Sequence, residues 1–510
     1  GFWAEKANGK EYVIVNGKEW GPYEDVWLDS PYFSSDGSAW GFAAEKAKGK
    51  VYVIINGKEW GPYESAPSPY FSSDGSAWGF WAEKANGKEY VLINGKEWGP
   101  YEDVYKERWW DLPVFSSDGS TWGFVARKAK GKVYVIVNGK EWGPYEYADW
   151  LSFSSDGSAW GFAAEKAKGK VYVIINGKEW GPYESAPSPD FSSDGSAWGF
   201  AAEKADGKEY VIINGEEWGP YRYAFSPDFS SDGSAWGFAA LKADGKWYVI
   251  VNGEEWGPYY EDEDEDEDVG GGVYMYVFNL PRFSSDGSTW GFVARKAKGK
   301  WYVIINGKEW GPYESASSPY FSSDWSAWGF WAKKADGKWY AIINGKEWGP
   351  YEDASSLNFS SDGSAWGFWA KKADGKRYAI INGKEWGPYE ALDPYEATYS
   401  LRFSSDGSAW GFWAEKANGK EYVIVNGKEW GPYESASSPD FSSDGSAWGF
   451  WAEKANGKEY VIVNGKEWGP YEDADSLRFS SDGSALFYAA TMTKPSYYRI
   501  DRVKVQVSAE

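Results

Sequence analysis

The stretch FSSDGSAWGFWAEKANGKEYVIVNGKEWGPYE, from Phe441 to Glu472, recurs with small changes along the whole chain of 510 residues. Eight of the eleven successive spacings between copies of its first residue are 38 residues, and the others are 44, 54 and 44. A fixed period of this length is typical of solenoids, propellers and other repeat arrays. The copies of Phe-Ser-Ser-Asp-Gly, or of a one-residue variant, begin at Phe33, Phe71, Phe115, Phe153, Phe191, Phe229, Phe283, Phe321, Phe359, Phe403, Phe441 and Phe479.

Turn signals divide each repeat into four segments. Dipeptides ending in Gly suit tight hairpins because Gly and Asn tolerate positive φ. In the quoted copy they are Asp444-Gly445, Asn456-Gly457 and Asn464-Gly465. The segments between them are rich in aromatic and β-branched residues and predict strands over 446–455, 458–463 and 467–471, with a fourth ending at Phe441. No window has the 3.6-residue apolar period of a helix.

Four strands joined by three tight turns predict a four-stranded antiparallel sheet. Apolar residues fall on both faces of the middle strands, as expected when each sheet lies between two similar sheets. This arrangement is a propeller blade.

The repeat also carries a family resemblance. The pattern F-S-x-D-G-x-x-x-x-F-x-A-x-K-x-x-G-K-x-Y-V-x-x-N-G-K-E resembles the Ser-Pro-Asp-Gly blades of TolB-like and WD-repeat-like bacterial propellers, with Ser in place of Pro and far more Trp. A weaker resemblance is to the Asp-box turn of sialidase-type propellers, which the stretch 116–122 approaches with one residue missing between Asp and Gly. Both resemblances imply a propeller.

The two chain ends are complementary in the strands that they supply. Residues 1–24 lack the first strand of a repeat, and the last repeat lacks the Glu-Trp-Gly-Pro-Tyr strand. We therefore predict one all-β propeller over 1–510, with about twelve four-stranded blades closed by N- and C-terminal strands. The alternative is a first propeller over 1–260, an acidic and Gly-rich linker over 261–272, and a second propeller over 273–510.

Composition excludes several kinds of function. The net charge of −23 argues against nucleic acid or an anionic membrane as a partner. No apolar run is long enough to cross a bilayer. Because Cys and His are both absent, disulfides, thiol catalysis and the commonest transition-metal ligands are excluded as well. We expect no cofactor.

Aromatic residues make up 20% of the chain, and 37 residues are Trp. Twenty-three of these Trp occupy two repeat positions, Ala/Thr-Trp-Gly-Phe and Glu-Trp-Gly. A residue that recurs at one place in every blade is most simply a packing residue. The alternative is that one of the two positions forms an exposed surface on which ligands stack.

Candidate interaction residues lie where the repeat is interrupted or altered. Trp109 and Trp110 form an aromatic pair in a longer join, and Trp325 replaces the turn Gly of its repeat. Since a turn that needs positive φ would strain Trp325, we expect that loop to adopt another geometry and expose the ring. Near the end of the chain, apolar residues alternate with polar ones at Val503, Val505 and Val507 and predict a half-buried strand that could add to a neighbouring molecule.

The largest interruption begins with eight consecutive carboxylates, over 261–268. Such a run normally forms a solvated loop because like charges repel. Calcium binding is the alternative, although the spacing of an EF-hand is absent. The weak calcium candidates are Glu261, Asp262, Asp264, Asp266 and Asp268.

Three classes of function remain. We predict a non-catalytic repeat scaffold, secreted, exposed at the cell surface or periplasmic, that binds protein or glycan partners multivalently. A structural subunit of an extracellular filament or layer, joined to its copies by strand addition at the mismatched termini, is the alternative. A glycan-active enzyme is the third class. It is disfavoured because the departures from the repeat are mostly exchanges among Trp, Ala and Val and changes of loop charge, whereas catalysis needs exceptional residues that converge on one pocket.

Overall fold

The computed structural model of the protein describes residues 1–6, 9–27, 31–46, 49–105, 113–128, 131–148, 151–166, 169–260, 280–296, 299–390, 401–479, 485–491 and 498–504. These residues form β-strands joined by turns, and they contain no α-helix. The prediction of an all-β chain is confirmed.

Each repeat forms a four-stranded antiparallel sheet in the order A-B-C-D, with the strands lettered in chain order. In the repeat of Phe441 strand A has two pieces, Ser435–Ala436 and Asp440–Phe441, and both pair with strand B, Trp448–Glu453. Strands C and D follow at Glu459–Val463 and Lys466–Tyr471. We name each sheet by the Phe that ends its strand A.

The remaining sheets use the same strand positions, except that in the described chain the first sheet lacks strand A and the last lacks strand D. Strands A, whole or in two pieces, are Asp25–Val26 with Tyr32–Phe33, Tyr70–Phe71, Asp103–Val104 with Val114–Phe115, Tyr147–Ala148 with Ser152–Phe153, Asp190–Phe191, Tyr223–Ala224 with Asp228–Phe229, Arg282–Phe283, Ser315–Ala316 with Tyr320–Phe321, Asp353–Phe359, Arg402–Phe403 and Asp473–Phe479. Strands B are Phe2–Glu5, Trp40–Lys46, Trp78–Glu83, Trp122–Lys128, Trp160–Lys166, Trp198–Glu203, Trp236–Leu241, Trp290–Lys296, Trp328–Lys333, Trp366–Lys371, Trp410–Glu415 and Ala485–Thr491. Strands C are Glu11–Val15, Lys50–Ile55, Glu89–Ile93, Lys132–Val137, Lys170–Ile175, Glu209–Ile213, Trp247–Val251, Lys300–Ile305, Trp339–Ile343, Arg377–Ile381, Glu421–Val425 and Tyr498–Lys504. Strands D are Lys18–Tyr23, Lys58–Tyr63, Lys96–Tyr101, Lys140–Tyr145, Lys178–Tyr183, Glu216–Tyr221, Glu254–Tyr259, Lys308–Tyr313, Lys346–Tyr351, Lys384–Tyr389 and Lys428–Tyr433.

The first and last sheets of the described chain have three strands. The first has strands B, C and D, and the last has strands A, B and C, as the sequence predicted. Eleven sheets with all four strand positions lie between them in chain order. The closure of these sheets into a ring and the number of about twelve blades stay predictions.

The predicted hairpin turns are present, and their backbone explains the residues found there. Asn464 has φ 47° and Gly465 has φ 80°, so both central residues of the turn between strands C and D are left-handed. Only Gly and Asn adopt this conformation at little cost, which accounts for the recurring Asn-Gly dipeptide.

The apolar core lies between successive sheets rather than within one sheet. Alternate residues of a strand point to opposite faces. In the Phe33 sheet, Val51 and Val53 therefore pack with Phe80 of the following sheet. Ile54 packs on the other face, with Val13 of the preceding sheet. Both faces of the middle strands of this sheet are buried, as predicted.

The chain divides into two compact units by its internal contacts. The first comprises Gly1–Pro258 and Leu280–Ser288, and the second comprises Tyr259–Asn279 and Thr289–Glu510. Within each unit the same sheet recurs along the chain. The two ring arrangements predicted from the sequence, a single propeller or two propellers in tandem, both stay predictions.

Candidate binding surface on the strand A edges

The two recurring Trp positions meet between successive sheets. Trp60 of strand D lies against Trp78 of strand B in the following sheet, with ring centroids 5.2 Å apart. Tyr63 of the same strand D meets Phe80 edge-on at 5.8 Å. The Trp contact recurs in the pairs Trp20–Trp40, Trp98–Trp122, Trp142–Trp160, Trp180–Trp198, Trp218–Trp236, Trp310–Trp328, Trp348–Trp366, Trp386–Trp410 and Trp430–Trp448. The packing interpretation of these Trp is confirmed.

The strand D Trp has little ring surface left for stacking a ligand. A Cβ atom on Gly95 would lie 2.7 Å from Cη2 of Trp60, so the turn of the next sheet packs directly on the ring. The Lys58 ammonium lies over the same ring, 4.1 Å from its centroid. The Trp ring is therefore covered by a second Trp, a Gly turn and a Lys.

The Ser-Ser-Asp-Gly turns are joined from sheet to sheet by hydrogen bonds. Ser72 Oγ and Ser76 N donate to Asp74 Oδ1 at 2.6 and 3.0 Å, and these bonds lower the pKa of the Asp74 carboxyl. Ser76 Oγ donates to the carbonyl oxygen of Asp118 in the next sheet at 3.1 Å. The motif therefore shapes a turn and links it to the following turn.

Strand A carries one position that differs from sheet to sheet. In each described repeat the second residue before the Phe is a buried Pro or Leu, as at Pro69, whose Cγ lies only 2.5 Å from where a Cβ on Gly41 of the preceding sheet would be. The residue directly before the Phe is half-buried or exposed wherever its side chain is described. We call it the variable position; it holds Tyr32, Tyr70, Val114, Ser152, Asp190, Asp228, Arg282, Tyr320, Asn358, Arg402 and Asp440.

Two cavities in the described part of the chain open at variable positions. A cavity of about 320 Å³ is lined by Tyr32, Tyr70 and Val114 together with their neighbouring Phe residues. Tyr32 is 41% exposed, so this cavity presents aromatic surface to solvent. A cavity of about 490 Å³ is lined by Asp190 and Asp228. The variable position thus provides an aromatic surface in one place and an acidic surface in another.

Trp325 does not change the backbone of its turn, and the expectation of another loop geometry is wrong. Its φ is 61°, and its N–H donates to Ser322 O at 3.0 Å, as the Gly at the same place does in other repeats. The ring is half-buried and stacks on Phe321 with centroids 4.1 Å apart. This stacking offsets the strain of a left-handed Trp. A role for Trp325 as a partner contact stays a prediction.

The other interaction candidates are only partly described. Trp109 and Trp110, the calcium candidates between Glu261 and Asp268, and Val505 and Val507 lie outside the described residues. Val503 lies in the strand Tyr498–Lys504 and is in register with Leu486 of the neighbouring strand.

The variable position was not predicted from the sequence; the predicted sites were in inserted joins, at the turn residue Trp325 and near the C-terminal end. A signal was present: the position lies between a Pro or Leu and the repeat Phe, and it holds six residue types across the described repeats. Its neighbours hardly vary because they pack between sheets.

Among the described residues, no three or more acidic side chains are grouped as metal ligands. The described part of the chain also has no helix that is long and apolar enough to span a membrane.

Comparison with known proteins gives no family for this chain. No family model and no curated protein sequence matches it. Two solved structures illustrate its weak structural similarities. One is titled a eukaryotic initiation factor, with 13% identity, a TM-score of 0.28 and coverage of 67% of this chain and 95% of the other. The second is titled the tricorn protease, with 11% identity, a TM-score of 0.23 and coverage of 94% of this chain and 61% of the other.

Proposed function

We propose that the chain is a non-catalytic, propeller-type repeat scaffold that binds protein or glycan partners through its strand A edges. The observation that carries this proposal is the variable position. It reaches solvent and lines both cavities, while the Pro or Leu directly before it is buried. A position whose residue type differs between otherwise similar sheets suits recognition of a partner, because its side chain can change without loss of packing.

Several edges in one chain favour a multivalent partner. When one site binds, the neighbouring sites meet a clustered ligand at high effective concentration, so the overall affinity rises by roughly 10²–10⁴ over that of a single site. The aromatic surface at Tyr32 and Tyr70 suits glycan rings or apolar side chains, which stack on Tyr at small entropic cost.

A glycan array and a set of immobilised proteins test this proposal. We expect binding to a dense surface to exceed binding to the same ligand free in solution by roughly 10²-fold or more. We also expect Tyr32→Ser with Tyr70→Ser to reduce the binding that depends on the aromatic cavity. Both residues are solvent-accessible, so thermal unfolding checks that the variant keeps its fold. Ligand binding that is equal on dense and dilute surfaces and unaffected by variants of the edge would contradict the proposal.

The non-catalytic part of the proposal has its own test. A screen of glycoside substrates should show no turnover by the purified chain. Turnover that is abolished by Asp190→Asn would instead identify an enzyme, with the acidic cavity as its active site.

A self-assembling structural subunit is a second candidate, and one observation favours it. Phe2 is 53% exposed, whereas Phe42, at the position of Phe2 in the next sheet, is fully buried. An uncovered apolar sheet face of this kind suits association with a second copy. Sedimentation over a concentration series should then show polymers that Phe2→Ser abolishes, whereas a single species at every concentration would contradict this candidate.

A further inference from the structure

The larger cavity on the strand A edges has an acidic lining. It has a volume of about 490 Å³ and lies between the Phe191 and Phe229 sheets of the first unit. Asp190, Asp228, Glu203 and Glu209 contribute carboxylates to its lining, and none of its described lining residues is a Lys or Arg. A cavity of this size with several carboxylates, and with no Lys or Arg among its described lining residues, suits a positively charged ligand.

The pKa values of these carboxyls indicate which carboxylate is least stabilised by its surroundings. Burial, followed by the charge of Asp228, raises the pKa of Asp190 to about 6 although the residue as a whole remains exposed. Burial also raises the pKa of Asp228, and the Arg282 guanidinium offsets part of that shift. Glu209 accepts a hydrogen bond from the backbone N–H of Ala224, while burial raises its pKa. Asp190 is therefore the carboxylate that a bound cation would stabilise most.

Two aromatic side chains, Tyr223 and Phe225, also line the cavity, and they are firmly packed. Phe225 stacks on the buried Trp247 with centroids 5.7 Å apart, and Tyr223 meets Phe225 edge-on at 5.2 Å. Aromatic rings attract ammonium groups through the negative charge of their faces, and they also pack against the methylene groups beside the nitrogen.

We propose that this cavity binds an alkylammonium group, with the nitrogen beside Asp190 and Asp228 and the methylene chain against Tyr223 and Phe225. The inference rests on the proposed binding function and names a ligand class for one of its sites. Two sources share this chemistry: a free polyamine, and the lysine side chain of a partner protein.

The chain contains a matched control for the site. In the Phe441 sheet Asp440 occupies the position of Asp190 and Asp228, but Ser435 and Ser437 stand where the Phe229 sheet has Tyr223 and Phe225. Asp440→Asn therefore removes an equivalent charge without touching the aromatic lining. Phe225→Ser introduces a residue that another sheet already accepts at the same place.

Calorimetric titration of the full chain, at physiological ionic strength, tests the proposal with two probes. One is spermidine, and the other is a blocked peptide of alternating Gly and Lys. We expect Asp190→Asn, Asp228→Asn and Phe225→Ser each to weaken binding, the Asp190 variant by about tenfold, and Asp440→Asn to leave the affinity unchanged. Tighter binding of spermidine identifies a free polyamine as the ligand, and tighter binding of the peptide identifies a lysine of a partner.

Two outcomes would overturn the inference. One is equal weakening by Asp190→Asn and Asp440→Asn, which would show attraction to the net negative charge rather than to the cavity. The other is no binding of either probe. Neither outcome concerns binding at Tyr32 and Tyr70, which tests the proposed function. Failure of this inference can therefore be distinguished from failure of the proposed function.

Discussion

Trp60 of one sheet lies against Trp78 of the next, with ring centroids 5.2 Å apart and the ring planes tilted by 53°. The same tilted contact recurs between other successive sheets with nearly the same geometry, as between Trp98 and Trp122 at 5.2 Å and 52°. The sheets joined by this contact therefore meet through copies of one interface, and their stability accumulates mainly from nearest-neighbour terms.

Trp60→Ala tests how much this contact contributes to the free energy of unfolding. It removes an aromatic pair and leaves a gap between two sheets, so we expect a loss of about 2 kcal/mol or more in the free energy of unfolding. Urea unfolding followed by Trp fluorescence measures it. Lys58→Ala is the matched control, because it removes only the ammonium over the same ring and should cost about 0.5 kcal/mol. Equal small losses in both variants would show that the Trp pair adds little.

Gly95→Ala and Gly87→Ala separate backbone strain from close packing. Both glycines have positive φ, 80° and 67°, in turns of one sheet. A Cβ on Gly95 would meet Trp60 at 2.7 Å, whereas a Cβ on Gly87 would have no neighbour within 4 Å. We expect Gly87→Ala to cost about 1 kcal/mol from strain alone and Gly95→Ala clearly more. Thermal unfolding of the two variants compares them, and identical losses would contradict the packing role of Gly95.

Trp325 and Phe321 should be energetically coupled. The left-handed backbone strains Trp325, while the stack on Phe321 stabilises it. A double-mutant cycle with Trp325→Gly and Phe321→Leu should give a coupling of about 1 kcal/mol. We expect Trp325→Gly alone to change stability by less than about 1 kcal/mol, because lost stacking and relieved strain oppose each other. A coupling near zero between the two residues would show that stacking on Phe321 does not explain why the turn tolerates Trp325.

The Ser-Ser-Asp-Gly turns should lose stability in acid. Hydrogen bonds from Ser284 and Ser288 lower the pKa of Asp286 to about 2. Since this value lies below the ordinary value of about 3.9, the turn stabilises the fold above about pH 4 and loses that contribution as pH falls towards 2. NMR titration should show that Ser288→Ala raises the pKa of Asp286. Ser285→Ala, at an exposed neighbour, should leave that pKa unchanged, and a pKa near 4 in the unmodified chain would contradict the prediction.

Much of one sheet could be predicted from the repeat, because its turns and strands depend on local chemistry. Asn464-Gly465 allows two successive left-handed residues, and the apolar strand beside it has no helical period. The pairing of recurring Trp residues was expected only in general terms. Which Trp meets which depends on how two sheets pack, and residues as distant as Trp98 and Trp122 meet only after folding.

The candidate site, in contrast, could not be predicted from the repeat. The inserted joins, the chain ends and Trp325 were predicted as interaction sites because they depart from the repeat in length or residue type. The variable position departs from the repeat only in residue type. It lies in strand A, and the sequence predicted only the last residue of that strand. The structure indicates a binding role for this position because it places Asp190 and Asp228, 38 residues apart, in the wall of one cavity.

By itself the sequence determined the repeating unit: four antiparallel strands, three tight turns and apolar residues on both faces. These features depend on φ preferences and on alternation along a strand, which act over a few residues. Only the tertiary structure decided what the exposed edge contains. Asp190, Tyr223 and Phe225 become one lining because two sheets pack against each other, and that packing brings together residues from separate repeats.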